Sequence, residues 1–155
     1  MKYWLMKSEP ESYSIDRLAK EGKTFWEGVR NYQARNFMMN EMKKGDKVLF
    51  YHSNTAEPAV VGLAEVCADG AAADFTAWDK SSKYYDPKSP QEKPRWFMTE
   101  VRFIKKLDKP VTLKDIKEMP GLEGMKLVQK GMRLSVQPVS AEEYNIILEM
   151  AGEKV

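Results

Sequence analysis

The chain contains one cysteine, Cys67, and one histidine, His52, and this scarcity limits how its fold can be stabilised. No disulfide can form within one chain, and these residues cannot supply a four-ligand zinc site or an iron–sulfur cluster. The fold must therefore depend on the burial of apolar side chains, which make up 43% of the 155 residues. A chain of this length can bury an adequate core. We therefore expect a single domain over residues 1–155, with no metal and no cofactor.

Several classes of protein are disfavoured by motifs that the sequence lacks. No stretch approaches the roughly 18 consecutive apolar residues of a membrane-spanning helix. The start of the chain has no apolar signal region, because Glu9 and Glu11 follow a short apolar segment. No glycine-rich dinucleotide motif or P-loop is present. The sequence therefore argues against a membrane partner and against P-loop nucleotide hydrolysis.

Five apolar or alternating segments predict β-strands. They are Tyr3–Met6, Lys47–His52, Ala59–Cys67, Trp96–Leu107 and Leu134–Val136. Four residues are placed to cap the starts of helices, namely Ser14, Asn31, Thr112 and Ser140. We expect the first helix to end near Glu21 and the second before Gly45. Because strands and helices do not alternate regularly, the sequence predicts an α+β fold with a strongly curved sheet or small barrel.

Positive charge is concentrated in one part of the chain. Residues 79–133 carry a net charge of +6, whereas the segments before and after carry −1 and −3. Residues 68–94 form a predicted long loop, with one short helix near Ala71–Trp78, and its aromatic residues alternate with lysines. Cations that meet phosphate and rings that stack on bases are typical of surfaces that bind unpaired nucleic acid. A solvated lysine-rich face around an aromatic core would have the same composition.

Three polar segments lie next to predicted strands or helix starts. Residues 26–37 lead from Trp26 into a helix start rich in Asn, Gln and Arg, which is suited to an anionic or acceptor-rich ligand. Residues 7–10 follow the first strand directly, and residues 133–138 place polar side chains on a short strand. Each segment alone is a weak signal.

Seven segments, in order and with compatible spacing, together resemble the EVE domain family. They are MKYWLMKSEPESYSIDRL at 1–18, WEGVRNYQARNF at 26–37, FYHSN at 50–54, VVGLAEV at 60–66, YYDPKS at 84–89, PRW at 94–96 and RLSVQPVS at 133–140. That family is related to YTH domains and belongs to the PUA-like superfamily. The resemblance implies a mixed-sheet pseudo-barrel flanked by helices, and a pocket for a modified base in DNA or RNA. It also implies a protein that is cytoplasmic if the source is bacterial, whereas the eukaryotic relatives are nuclear. We expect a monomer.

The weaker likeness to YTH domains assigns individual positions. Lys7 and Ser8 match a Lys-Ser pair at a strand end, and Trp26 matches the tryptophan that packs on the methylated base. We expect a second ring from Trp78, Tyr84, Tyr85 or Trp96 to close over the opposite face of the base. The expected ligand-binding set is Lys7, Ser8, Trp26, Val29, Arg30, Asn31, Gln33, Tyr51, His52, Ser53, Tyr84, Tyr85, Leu134, Ser135 and Gln137. The cations expected to meet the nucleic-acid backbone are Arg35, Lys83, Lys88, Lys93, Arg95, Lys105 and Lys106.

Two other functions are compatible with the sequence. The first is an enzyme that acts on a nucleoside or amide, with His52, Glu65 and Lys7 as reacting groups. The second is a protein-interaction module whose aromatic loop docks a partner chain. The favoured interpretation is a non-catalytic reader of methylated bases, for which we assign no catalytic residue.

Overall fold

The structure is a computed structural model that describes residues 1–154, and these residues form eight β-strands. The strands are β1 (Tyr3–Ser8), β2 (Lys23–Phe25), β3 (Lys47–His52), β4 (Ala59–Val66), β5 (Ala72–Ala73), β6 (Phe97–Met98), β7 (Glu100–Thr112) and β8 (Val136–Val139). Six of them form one sheet in the order β2-β7-β4-β3-β1-β8, while β5 pairs with β6. Strand β1 runs parallel to β3, and the other neighbours are antiparallel. The large sheet is therefore mixed.

Irregular pairing bends the middle of this sheet. The register between β3 and β4 shifts at Phe50 and Tyr51, and the register between β4 and β7 shifts twice. A bulge leaves an extra residue on one strand and increases the local twist, so the sheet curls instead of lying flat. The prediction of an α+β fold with a curved mixed sheet is confirmed.

Four α-helices begin at the residues that the sequence indicates. They are α1 (Ile15–Glu21), α2 (Tyr32–Asn36), α3 (Leu113–Glu118) and α4 (Ala141–Met150). The side chains of Ser14, Asn31, Thr112 and Ser140 each accept a hydrogen bond from a backbone N–H of the first turn, as predicted. Helix α2 continues as a π-helical turn over Phe37–Glu41, and the predicted helix near Trp78 is a 3-10 turn over Phe75–Trp78.

Some strand bounds differ from the predicted ones because long-range pairing sets them. Strand β7 continues past Leu107 to Thr112, since β4 supplies partners as far as the pair Ala59–Thr112. Strand β8 starts at Val136 and ends at Val139 because it pairs with β1 over that range. Strand β2 was not expected, and it forms by pairing with β7.

Both faces of the sheet are buried. Along β1, Trp4 and Met6 face one apolar cluster, while Leu5 faces the other, as the two-residue period of a strand requires. Residues of α1 and α2 cover the first face, and residues of α3 and α4 cover the second. Trp26 belongs to the first cluster, next to α1. The first face is therefore the one on which the cavity described below opens.

Candidate functional site

A cavity of about 670 Å³ opens beside Trp26. This volume lies within the range of about 300–1,000 Å³ that is usual for small-molecule sites. The walls come from the end of β1 and the turn after it, α1, β2 with the following loop, the start of the 3-10 turn, and the segments near residues 84 and 134. The lining residues are Lys7, Ser8, Glu9, Ser12, Tyr13, Arg17, Glu21, Thr24, Phe25, Trp26, Glu27, Gly28, Val29, Ser53, Phe75, Lys83, Tyr84, Arg133 and Ser135.

Trp26 forms a fixed wall of this cavity. Its side chain is only 7% exposed, and its ring packs edge-to-face on Phe50 with centroids 5.4 Å apart. Its backbone N–H donates to the Thr99 carbonyl oxygen at 2.8 Å, which extends the pairing of β2 with β7 by one residue. The indole is therefore part of the core and also borders the cavity.

Tyr84 is held at the cavity by contact with a glycine. Gly28 has φ +84°, and a Cβ built there would lie 2.5 Å from Cζ of Tyr84. Any side chain at position 28 would displace the tyrosine ring and strain the backbone. The guanidinium of Arg30 donates to the Tyr84 carbonyl oxygen at 2.6 Å from Nη2 and 3.1 Å from Nε. Arg30 therefore anchors the backbone at Tyr84, while the ring lies directly against Gly28.

A buried carboxylate, Asp74, ties these parts together. Its Oδ2 accepts hydrogen bonds from the backbone N–H of Gly28 at 2.8 Å and from Nη1 of Arg30 at 3.0 Å. Its Oδ1 accepts from the backbone N–H of Thr76 at 2.9 Å, and the side chain is fully buried. Asp74 therefore connects the loop after Trp26 to the 3-10 turn. Its one signal in the sequence is an acidic residue inside the largely apolar segment Ala71–Ala77.

A column of stacked cations and rings runs outward from the cavity. In order, its members are Lys83, Tyr84, Arg30, Trp96, Tyr32 and Arg35. Tyr32 and Trp96 stack with centroids 4.8 Å apart, and each ring in the column has a cation within 6 Å of its centroid. Such cation–π contacts stabilise both partners. The column makes Arg30 and Trp96 supports of Tyr84, while Lys83 and Arg35 lie at its two ends.

The cavity contains ionisable groups in unusual surroundings. Burial lowers the pKa of Lys7, whose ammonium has no carboxylate within 4 Å among residues 1–154. Glu27 lies at the mouth, where partial loss of solvent and the charge of Asp74 raise the pKa of its carboxyl. Burial and the hydrogen bond to Glu21 raise the pKa of Tyr13 to about 12. Tyr13 therefore stays a hydrogen-bond donor at neutral pH.

Eight residues expected at the site line this one cavity. They are Lys7, Ser8, Trp26, Val29, Ser53, Lys83, Tyr84 and Ser135. Of the four candidates for a second ring, only Tyr84 lines it, whereas Trp96 lies in the column behind. Sequence reasoning did not single out Tyr13, Phe25 or Phe75 as site residues, although their rings also line the cavity.

Other expected site residues lie elsewhere. Tyr51, Leu134 and Gln137 are buried in the interior, and Nε2 of Gln137 donates to the Leu134 carbonyl oxygen at 2.8 Å. Oδ1 of Asn31 is occupied in capping α2, where it accepts from the Ala34 N–H. Gln33 and Tyr85 are exposed outside the cavity. Arg30 positions Tyr84 and does not line the cavity.

The cations expected to meet phosphate differ in their surroundings. Lys88, Lys93 and Arg95 are exposed on the loop beyond Tyr84. Arg35 donates to the Arg95 carbonyl oxygen at 2.9 Å. Lys105 and Lys106 are already paired, with Glu153 at 2.9 Å and with Asp16 at 2.7 Å. To bind the nucleic-acid backbone, these two lysines would have to give up their ion pair with a carboxylate and form one with a phosphate.

The three residues of the enzyme hypothesis do not form one cluster, because Glu65 lies apart from the other two. Lys7 lies opposite Tyr51 in the sheet, whereas Glu65 lies opposite Lys47, four residues or about 13 Å further along β3. Glu65 is paired with Lys47 and Arg102, which lower the pKa of its carboxyl despite some desolvation. Nε2 of His52 accepts a hydrogen bond from the backbone N–H of Ile15 at 3.2 Å. His52 therefore stabilises the start of α1.

This contact gives His52 a small, testable effect on stability. Burial lowers the pKa of His52, and Lys106 lowers it further, against the opposing charge of Asp16. Below about pH 6.5 the unfolded chain therefore binds more protons at this site than the folded chain. Stability should be unaffected above that pH and fall below it, until the folded-state pKa is passed. We expect the free energy of unfolding to fall by at most about 1 kcal/mol, because the imidazole is half-exposed.

Urea unfolding at pH 7.5, 6.5, 5.5 and 5.0 measures this effect. In His52→Gln the amide oxygen can accept the same bond without titrating, so the difference between wild type and variant should grow below pH 6.5. Equal pH dependence of the two proteins would show that the pKa of His52 does not differ between the folded and unfolded states.

Within residues 1–154, no helix is long and apolar enough to cross a bilayer, and no group of three or more His, Cys, Asp or Glu residues could hold a metal ion.

Comparison with known proteins gives consistent matches over nearly the whole chain. The EVE domain model matches residues 2–150. Thymocyte nuclear protein 1 of Gallus gallus is 39% identical over 171 residues, which cover 98% of this chain and 69% of that protein. A hypothetical protein from Leishmania major has a solved structure with a TM-score of 0.93 and 53% identity, covering 98% of this chain and 95% of the other. The human THYN1 protein, solved in complex with 5-methylcytosine-containing DNA, has a TM-score of 0.90 and 36% identity over the full length of both chains.

Proposed function

The chain belongs to the EVE domain family, and we propose that it binds nucleic acid carrying a methylated base, with DNA containing 5-methylcytosine as the first candidate. The base would leave its stack and enter the cavity beside Trp26. One observation carries the proposal, namely a cavity of about 670 Å³ bordered by two rings, Trp26 and Tyr84, that the fold holds in place. The complex of the human relative with 5-methylcytosine-containing DNA supports it.

Ring walls suit the flat face of a nucleobase. Stacking of an aromatic side chain on a base contributes roughly 1–3 kcal/mol and does not depend on which base is present. Because Trp26 and Tyr84 are fixed before a ligand arrives, little side-chain freedom is lost on binding. The rings therefore supply affinity, and selectivity must come from polar groups and from apolar contact with the methyl group.

The polar groups at the end of β1 fit the edge of a cytosine. The Ser8 hydroxyl donates to the Tyr13 carbonyl oxygen at 2.6 Å, so its lone pairs remain free to accept from an exocyclic amino group. The half-buried ammonium of Lys7 is a donor without a carboxylate partner among residues 1–154, and a ring nitrogen or carbonyl oxygen would accept from it. Cytosine presents one amino donor next to two acceptors. A methyl group in an apolar slot adds about 1–3 kcal/mol, or 10–200-fold.

A binding panel tests this function. We expect short single-stranded DNA with one 5-methylcytosine to bind about 10–200-fold more tightly than the unmethylated strand. Strands with 5-hydroxymethylcytosine or 6-methyladenine, and the matching RNA strands, complete the panel. Affinity for all strands should fall as salt rises, because Lys83 and Arg133 at the cavity would meet phosphates.

Two adjacent tyrosines provide a matched control. Tyr84→Ala should weaken binding of the methylated strand about 5- to 150-fold, the equivalent of one lost stack. Tyr85→Ala should leave it unchanged, because that ring is exposed and does not line the cavity. Equal affinity for methylated and unmethylated strands, or equal effects of the two variants, would contradict the proposal. Absence of any binding to nucleic acid would favour a protein-interaction module.

A further inference from the structure

Two phenylalanine rings at the cavity remain exposed although the chain has a well-formed core. Phe25 is 45% exposed and Phe75 is 53% exposed, and both line the cavity. The other four phenylalanines are buried or half-buried. Among residues 1–154, neither Phe25 nor Phe75 stacks on another ring or has a cation over its face. The two rings therefore offer unoccupied aromatic surface at the same opening.

Both rings belong to residues whose backbone lies in regular secondary structure. Phe25 is the last residue of β2, where it pairs with Glu100 of β7. Phe75 is the first residue of the 3-10 turn, directly after Asp74, whose carboxylate binds the Gly28 N–H. Each ring is thus adjacent in sequence to a residue that builds the cavity, Trp26 in one case and Asp74 in the other. The backbone at both positions is therefore ordered before a partner arrives, so that stacking has to fix only the side-chain rotamers.

The charge at the cavity is positive on balance, which favours a polyanion over a cationic partner. Glu21 is paired with Arg17, whereas Glu9 and Glu27 have no cation within 4 Å among residues 1–154. Against these two carboxylates stand three cations with no carboxylate within 4 Å in the same part of the chain, namely Lys7, Lys83 and Arg133. Exposed rings beside unpaired cations are the combination that binds a single strand, through its bases and its phosphates together.

We propose that Phe25 and Phe75 stack on the nucleotides next to the base held in the cavity, so that the recognised unit is a strand of about three nucleotides and not a single base. This inference rests on the proposed binding of a methylated base. A base that leaves its stack deprives each neighbour of one stacking partner. The two phenylalanines replace those partners, which favours the extruded arrangement.

Comparing a nucleoside with an oligonucleotide separates the two contributions. The probes are 5-methyl-2′-deoxycytidine and a single-stranded DNA heptamer with 5-methylcytosine at its centre. We expect Phe25→Ala and Phe75→Ala each to weaken heptamer binding about 5- to 150-fold, the effect of losing one stack. Nucleoside binding should be weakened much less than heptamer binding, because a nucleoside has no neighbouring bases on which these rings could stack. Ile104→Ala is the matched control, since Ile104 is an apolar side chain that is 40% exposed and lies outside the cavity.

Photo-crosslinking supplies a readout that a merely structural role would not give. With 5-iodouracil directly before or after the 5-methylcytosine, irradiation should attach the strand to Phe25 or Phe75. With 5-iodouracil three nucleotides away, neither ring should be labelled.

Unchanged heptamer binding by a variant that combines Phe25→Ala with Phe75→Ala, or an equal loss for nucleoside and heptamer, would overturn the inference while leaving the proposed function intact. If neither probe binds in a manner that depends on Tyr84, the proposed function fails, and the inference fails with it.

Discussion

Asp74→Ala is expected to lower the free energy of unfolding by about 3–5 kcal/mol and to remove binding of methylated strands. Asp74 is fully buried, and its carboxylate accepts hydrogen bonds from Gly28, Arg30 and Thr76. Without it, the Arg30 guanidinium is left without its carboxylate, and a buried N–H loses its acceptor. Gly28 and the 3-10 turn then separate, and the surface on which the Tyr84 ring rests is lost.

Urea unfolding measures the loss of stability, and fluorescence anisotropy with a labelled strand measures binding. Asp79→Ala is the control, because Asp79 lies in the same loop and its carboxylate accepts only from the exposed Ser81 among residues 1–154. That variant should unfold and bind like the wild type. A stable Asp74→Ala protein with normal binding would mean that the hydrogen bonds of Asp74 do not hold the cavity.

Trp26→Ala is expected to weaken binding of a 5-methylcytosine strand by about 100-fold or more. The substitution removes one stacking wall, worth roughly 1–3 kcal/mol, and lets the neighbouring core relax into the cavity. It also lowers stability by about 3–5 kcal/mol, because Trp26 packs on Phe50 within the first apolar cluster. Binding must therefore be measured at a temperature where circular dichroism shows the variant to be folded.

Two further variants separate loss of the wall from loss of stability. Trp26→Phe retains a ring at the cavity and should recover most of the affinity. Trp4→Phe removes the indole that donates to Asp46 at 3.0 Å in the core, outside the cavity. Trp4→Phe should lower stability without changing the affinity of the folded protein. If Trp4→Phe and Trp26→Ala weakened binding equally, the effect of Trp26 would be indirect.

The features that the sequence predicts well are local ones. A cap such as Ser14 or Ser140 acts on N–H groups two or three residues away, so its signal is contained in a short segment. The strands at Lys47–His52 and near Ala59–Val66 are likewise marked by their own side chains. The likeness to a known family adds what local pattern does not contain, namely the assignment of Trp26 as a candidate wall of a base-binding pocket.

The features that the sequence did not predict depend on contacts between distant segments. Asp74 acts on Gly28 and Arg30, which precede it by more than 40 residues. Tyr51 and Gln137 were expected at the site, but both side chains are buried in the interior. Which face of a strand is buried against which element depends on register and on the helices that cover it. A single sequence does not contain that information for strands that are buried on both faces.

The column of cations and rings shows how the site and the fold are combined. Arg30 and Trp96 do not line the cavity, yet they hold Tyr84 from behind. The same arrangement places Lys83 against the cavity side of Tyr84. The aromatic and basic residues of the loop are therefore partly a structural scaffold and partly the surface of the cavity.

The most direct test of the account is an NMR titration that follows the four tryptophan indole N–H signals while a 5-methylcytosine heptamer is added. We predict a large shift of the Trp26 signal that saturates with binding, together with an unchanged Trp4 signal. An unmethylated heptamer should produce the same shift only at much higher concentration. If backbone signals elsewhere saturate while the Trp26 indole does not move, no base occupies the cavity, and the central claim is contradicted.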